Sequence, residues 1–253
     1  MLLSPNSKVV TDKGIFRVNL LEGLVRGGGI YYSVPCSYDK GKSGRNRIFS
    51  IRYTECLPEF LLETEDGFTL EAAAETKLYL LNGHVSNIEL LQPGDKILLQ
   101  NTYNHWGIKK PPGFKAFNHG YNCLFDLYSA FLSELADDLF QSPADEIMFF
   151  LKGFFYENLG KVTAVQGTNL TLLRDVQILL LNLGIKTTLS KIPNADEERF
   201  ALTPCSKDFS NDWNFTKVKK VSLTGNEVAA RKIVLGDMSL SQKIFVNGLC
   251  CIA

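Results

Sequence analysis

Several things are scarce in this 253-residue sequence, and each scarcity excludes something. There is no charge of one sign to spare: 27 Lys and Arg face 27 Asp and Glu. A protein that grips nucleic acid or an anionic membrane by charge alone carries a basic excess, so that class falls away. Only three histidines are present, His84, His105 and His119, and they do not fall into a zinc-like cluster. The six cysteines (Cys36, Cys56, Cys123, Cys205, Cys250 and Cys251) include no C-x-x-C pair and no metal-ligand spacing. That pattern reads as reduced intracellular thiols rather than a disulfide framework. The first residues lack the basic and apolar regions of a signal peptide. The longest apolar runs are about half of the roughly 20 residues a membrane-spanning helix requires. The expectation is a soluble, cytoplasmic protein without membrane contact. The chain is 45% hydrophobic and 21% charged, a globular composition with ample length to bury a core.

Residues 1 to about 100 read as strands. Lys8–Thr11, Gly29–Val34, Arg47–Tyr53 and Phe60–Thr64 are rich in β-branched and aromatic residues. Asp12-Lys13-Gly14, Gly27-Gly28-Gly29, Asp66-Gly67, Asn82-Gly83 and Pro93-Gly94-Asp95 punctuate them as turns. The character changes at Asn104–Gly113, where Pro111-Pro112 and flanking glycines suggest a linker. Helical spacing follows over Tyr121–Phe140, with Leu124, Leu127, Phe131, Leu135 and Leu139 near one face. Ser142-Pro143-Ala144-Asp145-Glu146 reads as a helix start with Ser142 as N-cap, the helix running through Phe155. Leu170–Leu183 predicts a third helix stopped by Gly184, then a strand at Ile185–Leu189. From about Asn214 strands return: Val218–Leu223, a turn at Thr224-Gly225-Asn226, Lys232–Leu235, and a closing hairpin tipped by Asn247-Gly248. A tail that reads like the front half suggests one β-fold interrupted by an inserted segment.

Three stretches in this order carry a family resemblance. The opening Leu3-Ser4-Pro5-Asn6-Ser7-Lys8-Val9-Val10-Thr11-Asp12-Lys13-Gly14 resembles the first motif of inteins, self-splicing Hint-fold domains. The run from Thr64 to Leu98 resembles the second motif region, closing on Leu91-Gln92-Pro93-Gly94-Asp95-Lys96-Ile97. The end, Phe245-Val246-Asn247-Gly248-Leu249-Cys250-Cys251-Ile252-Ala253, resembles the closing motif with one residue fewer before Asn-Gly. Between them, Ser142 through Gly160, with Phe150-Leu151-Lys152-Gly153-Phe154-Phe155, resembles a LAGLIDADG (DOD-type) homing-endonuclease helix, and Leu172–Ile185 the elements after it. A second copy of that motif is not recognisable in the helix near Tyr121–Asp138. The resemblance implies an α+β chain: an all-β, horseshoe-shaped Hint-type fold from residues 1–103 and 215–253, interrupted by a degenerate LAGLIDADG-like α/β insert at 104–214.

The family's splicing is acyl transfer, and it needs a nucleophile, proton shuttles and donors for an oxyanion. The resemblance sets Leu2 at the position of the first-residue nucleophile. It sets Ala73 and Thr76 at the Thr and His of the second motif, and Lys232 at an acidic position of a later strand. Ile252 and Ala253 stand at the penultimate His and the final Asn. None of these six residues supplies the family's chemistry. Met1 directly precedes Leu2 and Ala253 ends the sequence, so no flanking segment is expected to be joined. Loss at every position points to natural decay or reuse rather than to one or two engineered blocks, although an engineered splicing-inactive intein remains an alternative.

The endonuclease's metal-holding acid aligns with Asn158, and Glu157 beside it is turned by about 100° on a helix. No cofactor is expected; Mg²⁺ enters only if cleavage survives, with Glu157 as the candidate ligand. Residues 101–217 hold 11 Lys and Arg against 13 Asp and Glu, a poor saddle for duplex DNA. The expected function is an intein-derived protein, no longer a splicing enzyme or nuclease, reused as a scaffold with a protein partner. The alternative keeps residual activity through displaced residues such as Cys251 or Glu157. The remaining candidates have plainer readings. His84, His105 and His119 read as surface residues, one of Cys250 and Cys251 as facing inward, Ser4 and Ser7 as turn residues, Phe149–Tyr156 as helix core, and Asp196-Glu197-Glu198 as a solvated loop.

Overall fold

A computed structural model describes residues 1–34, 45–100, 106–108, 116–127, 134–155, 164–195, 197–205, 215–237 and 243–253. The front and the tail of the chain share both large sheets. The five-stranded sheet is built from β1 (Leu2–Leu3), β4 (Ile48–Thr64), β5 (Thr69–Ala73), β8 (Lys96–Leu98) and β12 (Phe215–Leu235), in the order β1-β5-β4-β12-β8. The six-stranded sheet holds β2 (Lys8–Thr11), β3 (Gly14–Arg17), β6 (Lys77–Tyr79), β7 (Val85–Asn87), β13 (Lys243–Val246) and β14 (Leu249–Ile252), in the order β3-β2-β13-β14-β6-β7. A smaller sheet joins β9 (Val165–Gly167), β10 (Thr187–Lys191) and β11 (Phe200–Pro204).

The six-stranded sheet is covered on both faces, and side-chain alternation divides its residues between two cores. Val9, Ile244, Val246, Leu249 and Cys251 point into the β-frame with Leu3, Leu62 and Leu70. Val10, Phe245 and Cys250 point the other way, into a core shared with the helices. Both Cys250 and Cys251 are therefore fully buried, whereas alternation alone predicted one inward and one outward. The hairpin between β13 and β14 turns at Asn247 (φ 49°) and Gly248 (φ 84°), the paired left-handed conformation that Asn-Gly favours.

Other expectations change. Val18–Arg26 is a helix, α1, not part of a run of strands. Val18 and Leu21 bury one face at helical spacing, and Val25 packs on the same core. Of the strand predicted at Gly29–Val34, only isolated bridges at Tyr32 and Ser33 form. The two strands predicted at Arg47–Tyr53 and Phe60–Thr64 are one, because Pro58 sits where the register with β12 shifts and its missing N–H is not needed. The predicted turn at Thr224-Gly225-Asn226 is a bulge inside β12: Leu223 opposes Phe60 and Glu227 opposes Pro58. Thr224 Oγ1 donates to the Glu59 carbonyl at 3.2 Å and accepts from Asn226 N–H at 3.1 Å.

The helix predicted over Tyr121–Phe140 is not continuous. α2 covers Ala116–Asp126 and α3 Asp137–Phe140, while Glu134 to Ala136 are non-helical. There the Leu135 N–H donates to Asp175 Oδ2 at 2.8 Å, a tertiary bond that replaces a helical one. α4 (Ala144–Phe154) is capped at Pro143 without a side-chain bond; Ser142 Oγ donates back to the Asp138 carbonyl at 2.8 Å. α4 presses against α2 where Gly120 faces Phe150 and Gly153 faces Phe117. α5 (Leu170–Asn182) forms where the third helix was expected; Asn169 caps it, accepting from Leu172 N–H at 3.0 Å, and Gly184 follows at φ 79°. It is buried from Leu172 to Asn182 except at Arg174. The expected linker lies mostly outside the described residues, which retain only Trp106 to Ile108 of it.

Candidate functional site

Positions far apart in sequence meet at one end of the five-stranded sheet. β1 is a dipeptide squeezed between β5 and β12: Leu2 pairs with Lys232, and Leu3 with Arg231 and Ala72. Ala73 ends β5 and shares a small apolar cluster with Leu2, Val228 and Ala230. The turn after β5 then places Thr76 beneath Leu2. Thr76 is fixed by its backbone, its N–H donating to the Ala73 carbonyl at 2.9 Å and its carbonyl accepting from Ile88 N–H at 2.8 Å. Ile252 pairs with Lys77, the residue after Thr76. Ala253 packs against the same core as Met1 and Cys251. Leu2, Ala73, Thr76, Lys232 and Ile252 therefore adjoin one another through strand pairing, apolar packing and the Thr76 turn.

The chemistry at this junction follows from the atoms present. Thr76 is fully buried, and its hydroxyl donates to the Leu2 carbonyl at 2.7 Å while accepting from Leu2 N–H at 3.2 Å. That is a strand clamp. A hydroxyl satisfied on both sides cannot carry a proton at neutral pH as an imidazole does. Leu2 and Ala73 offer only carbon, and Ile252 and Ala253 offer no side-chain nucleophile, amide or base. The Lys232 side chain is exposed. Burial pushes the Met1 amino group down, Lys232 and Lys77 push the same way, and Cys251 and Glu75 oppose it. Cys251 precedes Ile252 on β14 and pairs with Leu78. Burial pushes its thiol up to about 12, against the pull of the Met1 amine. At neutral pH its thiolate fraction is then on the order of 10⁻⁵, and the thiolate is the reactive form.

The other candidates fall elsewhere. Glu157 and Asn158, with Cys36, His105, Tyr156 and Asp196, lie outside the described residues. Among the described residues, no group of three or more His, Cys, Asp or Glu side chains is placed to share a metal ion. No described helix is long and apolar enough to cross a membrane. His84 is exposed at its turn. His119 instead packs half-buried against Phe150, ring centroids 5.6 Å apart, because α2 lies so close to α4. Phe150 and Phe154 are core, but Phe149 is half exposed under Lys152. Glu197 and Glu198 are exposed and pair with Arg199 and Lys191.

Sequence reasoning missed one polar group altogether. Lys8 on β2 meets Asp175 on α5 at 2.7 Å, with side chains 11% and 2% exposed, across 167 residues of sequence. Burial pushes the Asp175 carboxyl up, while Lys8 and the Leu135 N–H oppose that shift. Lys8 also lies over the Phe140 ring, and its N–H donates to Asn247 Oδ1 at 2.7 Å. No local pattern marks a pair so distant in sequence.

No protein-family model and no curated protein matches the chain. Among solved structures it is similar to the VidaL intein, with 8% identity over 100% of this chain and 96% of that one and a TM-score of 0.47. It is also similar to a mutant of the gp41-1 intein, with 9% identity, 100% and 98% coverage and a TM-score of 0.44. A mutant Ssp DnaB mini-intein gives 11% identity, 100% and 98% coverage and a TM-score of 0.42.

Proposed function

We propose that this chain is an intein-derived, Hint-type protein that has lost splicing and DNA cleavage and serves as a folded scaffold for a protein partner. The observation that supports this reading is the junction itself. Positions drawn from both ends of the sequence come together around the Leu2 backbone, yet they supply a clamp where acyl transfer needs a nucleophile and a proton shuttle. Cys251, the displaced thiol that could have rescued the chemistry, is buried and held protonated. Gly120 and Gly153, which let α4 press on α2, support reading residues 104–214 as a degenerate endonuclease-like insert.

The test places the chain between two reporter domains and follows the precursor by mass spectrometry with and without thiol or hydroxylamine. Only intact precursor is expected. A ligated reporter product, or cleavage at either junction that thiol accelerates, overturns the proposal. In a parallel assay, supercoiled plasmid with Mg²⁺ or Mn²⁺ should stay unnicked. Nicking abolished by Glu157→Gln would restore the nuclease reading.

A further inference from the structure

The sequence contains two Asn-Gly pairs, Asn82-Gly83 and Asn247-Gly248, and the fold treats them oppositely. In such a pair the backbone nitrogen of the glycine can attack the asparagine side-chain amide, because glycine has no Cβ to obstruct the approach. Asn247-Gly248 turns β13 onto β14 in a packed corner. Asn247 Oδ1 accepts from the Lys8 N–H at 2.7 Å, and its Nδ2 donates to the Thr69 carbonyl at 3.0 Å. Both ends of that amide are thus committed to other strands, β2 and β5. Gly248 is buried, and a Cβ on it would meet the Leu181 and Phe68 side chains. Asn82-Gly83 lies at the tip of the β6–β7 hairpin, with both residues exposed. Gly83 has φ 85°, and a Cβ there would meet nothing within 4 Å. Asn82 Oδ1 accepts from the His84 N–H at 3.0 Å, a bond that spans the intervening glycine and folds the amide back over it.

We propose that Asn82 is a site of spontaneous modification, cyclising onto Gly83 and hydrolysing to aspartate and isoaspartate, while the fold protects Asn247. In the first step hydroxide takes the Gly83 amide proton and the nitrogen lone pair forms a bond to Asn82 Cγ. The carbonyl electron pair moves onto Oδ1, where the His84 N–H already donates to the developing negative charge. When that pair returns, the Cγ–Nδ2 bond breaks, and Nδ2 takes a proton from water and leaves as ammonia. A five-membered succinimide remains. Water then adds to either of its two carbonyls, which opens the ring to aspartate or to isoaspartate. Every backbone atom stays joined, so the step is not a cleavage of the chain. The Gly83 N–H must first release the Leu80 carbonyl, to which it donates at 3.0 Å. That bond sits at an exposed turn tip and opens without disturbing either core. The Asn247 amide is freed only when its bonds to β2 and β5 break at a buried corner. Isoaspartate adds one methylene to the backbone at the tip, so the Leu80, Gly83 and His84 bonds that close the hairpin lose their register.

This inference is independent of the proposed function. The test incubates the folded full chain at mildly alkaline pH, digests aliquots over time and maps the peptides by chromatography and mass spectrometry. The peptide carrying position 82 should first lose the mass of ammonia and then split into an aspartate and an isoaspartate form. Its conversion should be at least about tenfold faster than that of the peptide carrying position 247, since two hydrogen bonds hold the Asn247 amide. The rate at Asn82 should rise in proportion to hydroxide. In concentrated urea, where the fold is lost, the two rates should converge to within about threefold. Asn82→Gln, at an exposed turn, leaves the fold intact and would need a six-membered ring, so conversion at this turn should slow by about tenfold or more. The proposal is overturned if Asn82 in the folded protein stays unmodified or converts no faster than Asn247. It is equally overturned if aspartate forms without isoaspartate, which marks direct hydrolysis of the amide, or if the difference between the two sites persists in urea.

Discussion

Replacing Gly by Ala in the middle of a helix normally stabilises a protein by about 0.5–1 kcal/mol, because Ala loses less backbone freedom on folding. The structure predicts that the same change has opposite signs in two helices of this chain. At Gly23, in the exposed part of α1, a Cβ would meet nothing within 4 Å. Gly23→Ala should therefore return the full propensity gain. At Gly153, a Cβ would run into the Phe117 carbonyl oxygen and lie 2.8 Å from the Tyr121 nitrogen and 2.9 Å from the Phe117 carbonyl carbon. Those are backbone atoms, which cannot rotate aside. Ordinary contact begins near 3.4 Å, so α2 and α4 must part by about 1 Å or tilt. A gap of that size forfeits a quarter to a half of the dispersion attraction across the contact, including that of the fully buried Phe150 and Phe154. Overpacking of this kind costs about 1–3 kcal/mol, which exceeds the propensity gain. Gly153→Ala should thus be net destabilising by about 1–2 kcal/mol. Urea unfolding followed by far-ultraviolet circular dichroism measures both variants on one scale. A Gly153→Ala protein as stable as the parent, with Gly23→Ala showing the usual gain, would refute the close helix crossing.

Asp175→Ala should cost about 3–5 kcal/mol, since it strands a buried Lys8 ammonium and removes the acceptor of the Leu135 N–H. The paired Lys8→Met/Asp175→Leu protein should recover most of that loss in urea melts, and a single-variant loss under about 1 kcal/mol would show the pair to be incidental. For Cys251 the folded thiol titrates at about 12, above its unfolded value of 9.0. Its contribution is complete below the unfolded value and is lost as pH rises through the folded one. Stability should therefore fall by about 1.4 kcal/mol per pH unit above pH 9, and Cys251→Ala should flatten that decline in urea midpoints taken from pH 8 to 11. The native thiol should also resist alkylation at pH 8; rapid labelling of Cys251 would contradict its burial.

Local chemistry was legible where a few adjacent residues decide the outcome. Asn247-Gly248 makes a hairpin because both positions must take positive φ, and Gly184 follows α5 in the left-handed conformation that its place as a stop requires. Where distant groups compete, local rules lost. Ser142 is a strong N-cap by type, yet the Asp138 carbonyl takes its hydroxyl. Helical spacing around Leu135 was real, but Asp175 claims the Leu135 N–H and the helix does not run through. α1 was missed because β-branched and Gly-rich neighbours on either side drew its nine residues into a strand reading.

The candidate junction divides along the same line. Its residues could be named from motif order alone, and that Leu2, Ala73 and Ala253 bring no reactive group needs no coordinates. That they adjoin required the fold, since strand pairing brings Leu2 to Lys232 and the Thr76 hydroxyl onto both polar groups of Leu2. Chain order alone determined the β, then mostly helical, then β sequence of segments, the Asn247-Gly248 hairpin tip and the lack of a reactive side chain at Leu2, Ala73 and Ala253, because these depend on one residue's side chain or on neighbours a few positions away. Only the tertiary structure decided that both faces of β14 are buried and that Lys8 meets Asp175. Those outcomes depend on which surfaces exclude water together, and no local window of sequence contains both surfaces.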